Sequence, residues 1–349
     1  MKKRVFAYLC AFIMLAGCLS GCGNSETGGI SPANAEQQSM LFAMDTYMQF
    51  RIYGDASALD GVKDMIQDME RRISVTSPDS EIATVNRNGG GTVSDETAQL
   101  LRTALDLCTL TRGALDISVY PVVRAWGFTT GDYRIPSYDE RLHLLESVDY
   151  TKIHLDGNTV TLADGMEIDL GAVAKGYAGR QAANFLREQN VTSALLDMGG
   201  NVQTVGSKPD GSPWRVAVQD PQSDGYAGIM EIVDKAAVTS GGYQRFFTGD
   251  DGKTYWHIMD PAEGKPAQNG LLSVTVVAQD GAVCDALSTA LFVMGAEKAQ
   301  TFWRRNADLN FEMVLITEPD ADGHSEMIVT PGLSFTPESN PLYTLRTLS

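Results

Sequence analysis

A carboxylate, a run of small residues and a lysine stand together in Asp169-Leu170-Gly171-Ala172-Val173-Ala174-Lys175-Gly176. Small side chains let a ligand approach the backbone, and a helix start with a lysine one turn in favours anionic oxygen. The stretch lacks the spacing of a P-loop or of a dinucleotide fingerprint, and it reads equally as a tight strand-to-helix turn with a surface lysine. A second group lies far along the chain. Asp285 and Thr289, four residues apart, share one face of an expected helix, with Ser288 beside them. Hard oxygens on one face suit Mg²⁺, although the same pair also reads as a helix cap and a threonine bonded back to a carbonyl. His257 stands in Trp256-His257-Ile258-Met259-Asp260-Pro261, just after an expected strand. There a histidine either accepts a proton in catalysis or satisfies a core hydrogen bond. Two glycine bends, Gly199-Gly200-Asn201 and Ser240-Gly241-Gly242-Tyr243, either cradle a ligand or turn the chain. Four histidines and no Cys-x-x-Cys pair argue against zinc.

The elements that must position these residues follow from periodicity. Thr46 to Tyr53 alternates as a strand, and Leu59 to Ile73 carries Val62, Ile66, Met69 and Ile73 at helical spacing. Ser94 caps a helix that runs to about Leu110 and stops at Gly113. A short helix is expected from Asp139 to Val148. Strands are expected near 152–155, 159–162 and 166–169, with Asp156-Gly157-Asn158 as a turn. Val173 to Glu188 is helical. Strands follow near 194–197, 214–219, 228–233 and 272–278, then a helix over 283–295 and a strand over 312–317. Helices and strands mix without a regular βαβ beat or a repeat of fixed period, which predicts an α+β fold with mixed sheets and packed helices in one compact catalytic unit.

The N-terminus has the grammar of an exported lipoprotein. Lys2, Lys3 and Arg4 precede the apolar run Val5 to Leu15, too short to span a bilayer and right for a signal peptide. Leu15-Ala16-Gly17-Cys18 and Leu19-Ser20-Gly21-Cys22 both place small residues before a cysteine. Cys22 is the expected lipidation site and Cys18 the alternative, because a polar tether begins directly after Cys22. The expected organisation is a signal peptide over 1–21, a flexible tether over 22–39 and a folded domain over 40–349, held at the cell membrane and facing outside the cytoplasm. Cys108 and Cys284, the cysteines of the folded part, sit in apolar helical patterns and read as separate buried thiols. The formal charge is −17, and losing the three basic residues of the leader deepens it to −20. Nucleic acid is therefore excluded as a partner, and an anionic ligand needs a local cation.

In order along the chain, these pieces resemble the FAD:protein FMN transferase family, also called ApbE or thiamine-biosynthesis lipoproteins. The segments are Ala43-Met44-Asp45-Thr46, then Gly113-Ala114-Leu115-Asp116 continuing to Pro121 and Trp126-Gly127-Phe128, and then Asp169 to Gly176. After these come Asp197-Met198-Gly199-Gly200-Asn201, Ser240 to Tyr243, His257 to Pro261 with Gly264, and Ala282 to Gly295. The resemblance implies Mg²⁺-dependent cleavage of FAD, release of AMP, and esterification of FMN to a Thr or Ser hydroxyl of a redox-pump subunit or similar flavoprotein. It also implies a metal site of Asp285, Thr289 and the carbonyl of Ala172. FAD contacts would fall on Met44, Ala114, Leu115, Asp116, Asp169, Lys175 and Met259. His257 would act as the base, with Asp285 also in the catalytic set. Related alternatives are a hydrolase that turns FAD into FMN and AMP, and a lipoprotein that only binds FAD. The chain departs from the family pattern at Asp45, where glycine is usual, and at Thr76, where an aromatic is often found. Tyr243 is then a candidate for stacking on the flavin.

Overall fold

The computed structural model describes residues 35–349. Cys18, Cys22 and the signal peptide lie outside the described residues. The first strand, β1 (Glu36–Ala43), takes in the last four residues of the expected tether. Its polar start, Glu-Gln-Gln-Ser, hides an alternating strand that pairs in full register with β2 (Thr46–Tyr53).

The main sheet continues with β3 (Ala194–Asp197), β4 (Asn201–Val205), β5 (Ala236–Gly241), β6 (Leu271–Ala278), β7 (Glu312–Thr317), β8 (Ser325–Val329) and β9 (Tyr343–Thr347). Their order across the sheet is their order along the chain. The neighbours run antiparallel from β1 to β8, and β9 lies parallel to β8. Everything else is inserted between these strands. The long β2–β3 insertion carries α1 (Ser57–Ile73), α2 (Glu81–Asn88), α3 (Asp95–Leu110), α4 (Tyr120–Ala125), α5 (Tyr138–Leu145) and α6 (Gly171–Glu188). The β6–β7 connection carries α7 (Gly281–Arg305). The α+β expectation is borne out.

Helices α1, α6 and α7 cover one face of the sheet, with the apolar stripe of α1 at Leu59, Val62, Ile66, Met69 and Ile73, as its spacing predicts. A three-stranded sheet of 214–219, 226–232 and 335–337 covers the other face, where Trp214, Val216, Met230 and Ile232 meet Val202, Ala237, Val277 and Ile316. Helix α7 sits between two halves of the core, with Ala282, Ala286 and Ala290 facing one and Cys284, Leu287 and Leu291 the other. It leaves helical geometry at Gly295 (φ 77°, ψ 168°), where the sequence predicts its end, and then resumes to Arg305. The stretch expected as a strand at 166–169 is irregular, because Asn86 rather than a neighbouring strand takes the backbone of Ile168. Cys108 and Cys284 are both free and buried.

Candidate active site

The two separated clusters meet where α6 and α7 begin. The Asp285 Oδ2 atom accepts a hydrogen bond of 2.8 Å from the amide of Gly176, 109 residues away in the chain. In a regular helix that amide points to the carbonyl of residue 172, so its engagement with Asp285 places the carboxylate beside the Ala172 carbonyl's own helical turn. Glycine is required for this approach. A Cβ on Gly176 would lie 2.0 Å from the carbonyl oxygen of Gly281 and 2.7 Å from the Asp285 Cβ, so no other residue fits.

Asp285 is 4% exposed. Burial pushes its carboxyl up, while the positive charge of Lys175 and the amides of Gly176 and Lys175 pull it back. One turn on, Thr289 Oγ1 lies 3.2 Å from Ser240 Oγ, which also bonds Ser288 Oγ at 2.8 Å. Ser240 is the last residue but one of β5, so the sheet itself supplies a further oxygen to the cluster. Among the described residues no group of three or more His, Cys, Asp or Glu side chains converges as a metal cage. One buried carboxylate, hydroxyls and backbone oxygens remain, a hard donor set of the kind Mg²⁺ completes with water and phosphate. The residues therefore fit that ion.

Lys175 is the electrostatic centre of the site: its charge acts on Asp169, His257 and Asp285 alike. Asp169 is raised, with burial the largest cause, opposed by the Gly171 amide and then by Arg245 and Lys175. Its Oδ1 accepts from Gly171 at 2.9 Å, and its amide donates to Ile117 at 2.8 Å, which ties the start of α6 to the 114–119 segment. In that segment Asp116 is buried and fully engaged: Oδ1 accepts from the amide and hydroxyl of Ser118, and Oδ2 from the amide of Tyr150. Leu115 is a core residue, which leaves Ala114 the half-buried member of the three. Met259 is likewise buried, in a satellite cluster with Val122, Trp126 and Phe128. Met44 forms the β1–β2 turn with Asp45, and its amide donates to Glu70 at 2.7 Å. That turn touches the bend between β3 and β4, where Gly199 (φ 71°) faces Thr46 so closely that a Cβ would lie 2.0 Å from the threonine hydroxyl.

His257 is held from across the hairpin of 246–248 and 254–256, by the residue before its first strand. Its amide donates to the Arg245 carbonyl at 3.1 Å, and its Nδ1 lies 3.3 Å from the same oxygen. Phe128 packs 6.3 Å from the ring, centroid to centroid. Loss of hydration, followed by the charge of Arg245, lowers the imidazole to about 3, Lys175 adds to the effect, and the bond to the carbonyl opposes it. Arg245 itself escapes sequence reasoning, since a lone arginine three residues past a glycine bend carries no pattern. It is exposed, it donates from Nη2 to the Phe128 carbonyl at 2.7 Å, and its charge acts on both Asp169 and His257. Thr76 is bonded to Ser74 on the surface, and Tyr243 is largely buried against Gly241, with burial raising its hydroxyl to about 12.

The model of the ApbE family matches residues 44–313. The FAD:protein FMN transferase of Vibrio cholerae is 30% identical over 330 residues, 91% of this chain and 94% of that protein. The FAD:protein FMN transferase of Treponema pallidum is 31% identical over 305 residues, 80% of this chain and 84% of that protein. The crystal structure of the ApbE protein from Thermotoga maritima superposes with a TM-score of 0.77 at 30% identity, covering 81% of this chain and 95% of the other. With its matched span running from the β1–β2 turn through both halves of the site into β7, the chain belongs to the ApbE family.

Proposed function

We propose that this protein transfers FMN from FAD to a Thr or Ser hydroxyl of an acceptor flavoprotein, with release of AMP and dependence on Mg²⁺. The observation that carries this reading is the convergence of Asp285 with the amide of Gly176, next to Thr289, Ser240 and Lys175. The names of the relatives, which share the whole site-bearing region, support it.

In the reaction the hydroxyl oxygen attacks the phosphorus on the riboflavin side of the pyrophosphate, the bond to the AMP phosphate breaks, and AMP departs with the electron pair. Lys175 and the amides at the start of α6 bind and orient the pyrophosphate oxygens. Arg245, beside Asp169 and His257, holds further negative charge. Because Nδ1 of His257 faces the Arg245 carbonyl, that nitrogen carries the proton and Nε2 is left to take the one from the attacking hydroxyl. The depressed pKa keeps the ring neutral and ready before substrate arrives. An anionic substrate set against Lys175 and Arg245 then cancels two of the causes of that depression and strengthens the base. Asp285, Thr289 and the Ala172 carbonyl are the groups that would hold Mg²⁺, whose chemistry is to neutralise charge on the phosphate oxygens.

The leader, the two lipobox-like tetrads and the polar stretch after Cys22 support an exported, lipid-anchored form. Fatty-acid labelling that vanishes in Cys22→Ala, and persists in Cys18→Ala, is the matching test of the anchor.

The decisive assay incubates the protein with FAD and Mg²⁺, with and without an acceptor carrying the target threonine. It follows AMP and protein-bound flavin fluorescence. AMP together with a fluorescent acceptor is the expected result. AMP with free FMN alone would make the protein a hydrolase, and FAD binding without AMP a carrier.

A further inference from the structure

The crossing of α6 and α7, which brings the two halves of the proposed metal site together, is backbone on backbone. Gly176 and Gly281 face each other so closely that a Cβ on Gly281 would lie 2.6 Å from the Gly176 carbonyl oxygen. Close packing here has a geometric cost. The two glycines leave the crossing point itself without interlocking side chains, while Ala282, Ala286 and Ala290 of α7 pack into the same core as Val173, Ala174 and Ala178 of α6. Polar ties on either side of the contact complete the setting. One is the bond from Gly176 to Asp285, which is itself part of the site.

The other tie is remote from the chemistry. Asp280, the N-cap of α7, divides its carboxylate: Oδ1 accepts from the Ala282 amide at 2.8 Å, and Oδ2 pairs with Nη1 of Arg180 at 2.6 Å. Arg180 is one turn beyond Gly176 on α6, and its guanidinium carbon lies 4.7 Å over the ring of the buried Tyr177, which stiffens it. Asp280 is thus bound at once to the first turn of its own helix and to the neighbouring helix, five residues before Asp285.

We infer that Arg180 and Asp280 are positioning residues for the metal site, a clamp that sets the separation between the Ala172 turn of α6 and the Asp285 face of α7. The inference rests on the metal-site reading given above. Oxygen donors must converge within a few tenths of an ångström around a small cation, and partners one shell out typically change metal affinity about 10- to 100-fold. The clamp touches no substrate, so its loss raises the Mg²⁺ requirement and leaves turnover at saturating Mg²⁺ within about twofold.

The test uses the full chain with FAD absent. The rise in melting temperature is measured against Mg²⁺ concentration, and Mn²⁺ binding is followed by electron paramagnetic resonance. Arg180→Ala and Asp280→Ser are compared with the native chain. Serine keeps the helix cap while losing the partner of Arg180, so the fold is preserved. Both variants are expected to raise the half-saturating ion concentration about tenfold, the low end of that range, with Arg180→Lys recovering part of the loss. A melting temperature lowered equally at every Mg²⁺ concentration, with half-saturation unmoved, would overturn the clamp and leave a merely stabilising ion pair. Asp285→Asn separates the two readings. If that change leaves ion binding intact, the metal site itself is misplaced and the clamp falls with it; if it abolishes ion binding while the clamp variants bind as the native chain does, the clamp alone is wrong.

Discussion

His257 carries the sharpest test at the scale of a single residue. Its folded-state pKa is depressed to about 3, so between its ordinary value of 6.5 and that value the unfolded chain takes up a proton that the folded chain refuses. Stability attached to this residue is therefore complete above about pH 6.5 and is lost as the pH falls toward 3. The desolvated carboxyls of Asp169, Asp197 and Asp285, all raised, act with the opposite sign and lose stability as the pH rises through their folded values. Only the difference between two chains isolates the histidine. His257→Ala is expected to lose less stability than the native chain between pH 7 and pH 5 in urea titrations. It should also bind FAD normally and transfer FMN about 10²- to 10⁴-fold more slowly, the usual range for a lost base. Native transfer rates in the variant would remove His257 from the proton's path.

At the scale of elements, the β1–β2 hairpin turns on Met44 (φ 50°) and Asp45 (φ 59°), both left-handed. A two-residue turn of this kind prefers Asn-Gly or Asp-Gly, so Asp45 stands where the turn itself favours glycine. Holding a side chain in that region costs roughly 1–2 kcal/mol, and a glycine returns about 0.5–1 kcal/mol of it through its freer unfolded state. Asp45→Gly is expected to raise stability by up to about 1 kcal/mol, read as a higher urea midpoint with an unchanged slope; a lower midpoint would refute the strain. Sequence pattern reached the elements that bury one face. Alternation located 46–53, strands were expected at 194–197 and 312–317, and Ser94 marked the start of α3. It missed β4, whose five residues are all buried though Asn201, Gln203 and Thr204 are polar, and β5, where small residues erase the alternation. The site was legible wherever motif and helix face coincided, as at Asp285 and Thr289. Ser240 and Arg245 could not be placed in it, because their roles arise only from the sheet and the hairpin that bring them there.

For the molecule as a whole, the sheet is a meander whose candidate functional parts hang from its connections, while β7, β8 and β9 form a flank that carries none of the site residues named above. Strand β9 lies four strands from β5, about 19 Å at the spacing of neighbouring strands. It is secured by its parallel pairing with β8, by the Tyr343 hydroxyl donating to Asp220, and by Leu348 in the core. Removal of residues 342–349 is expected to lower the melting temperature and leave β8 an open edge prone to aggregation, with turnover of the remaining folded protein within about twofold. A selective loss of turnover in well-folded material would place the flank closer to the chemistry than the sheet order implies.

The span of 109 residues between Gly176 and Asp285 also dictates when the protein can first hold its ligands. Between them the chain must complete β3 to β6 before the first turns of α7 can dock. Neither half alone sets the Asp285 carboxylate against the start of α6 and beside Lys175. On the proposed function, a nascent or unfolded chain would be empty, and ion and flavin nucleotide would be gathered in the compartment in which folding finishes.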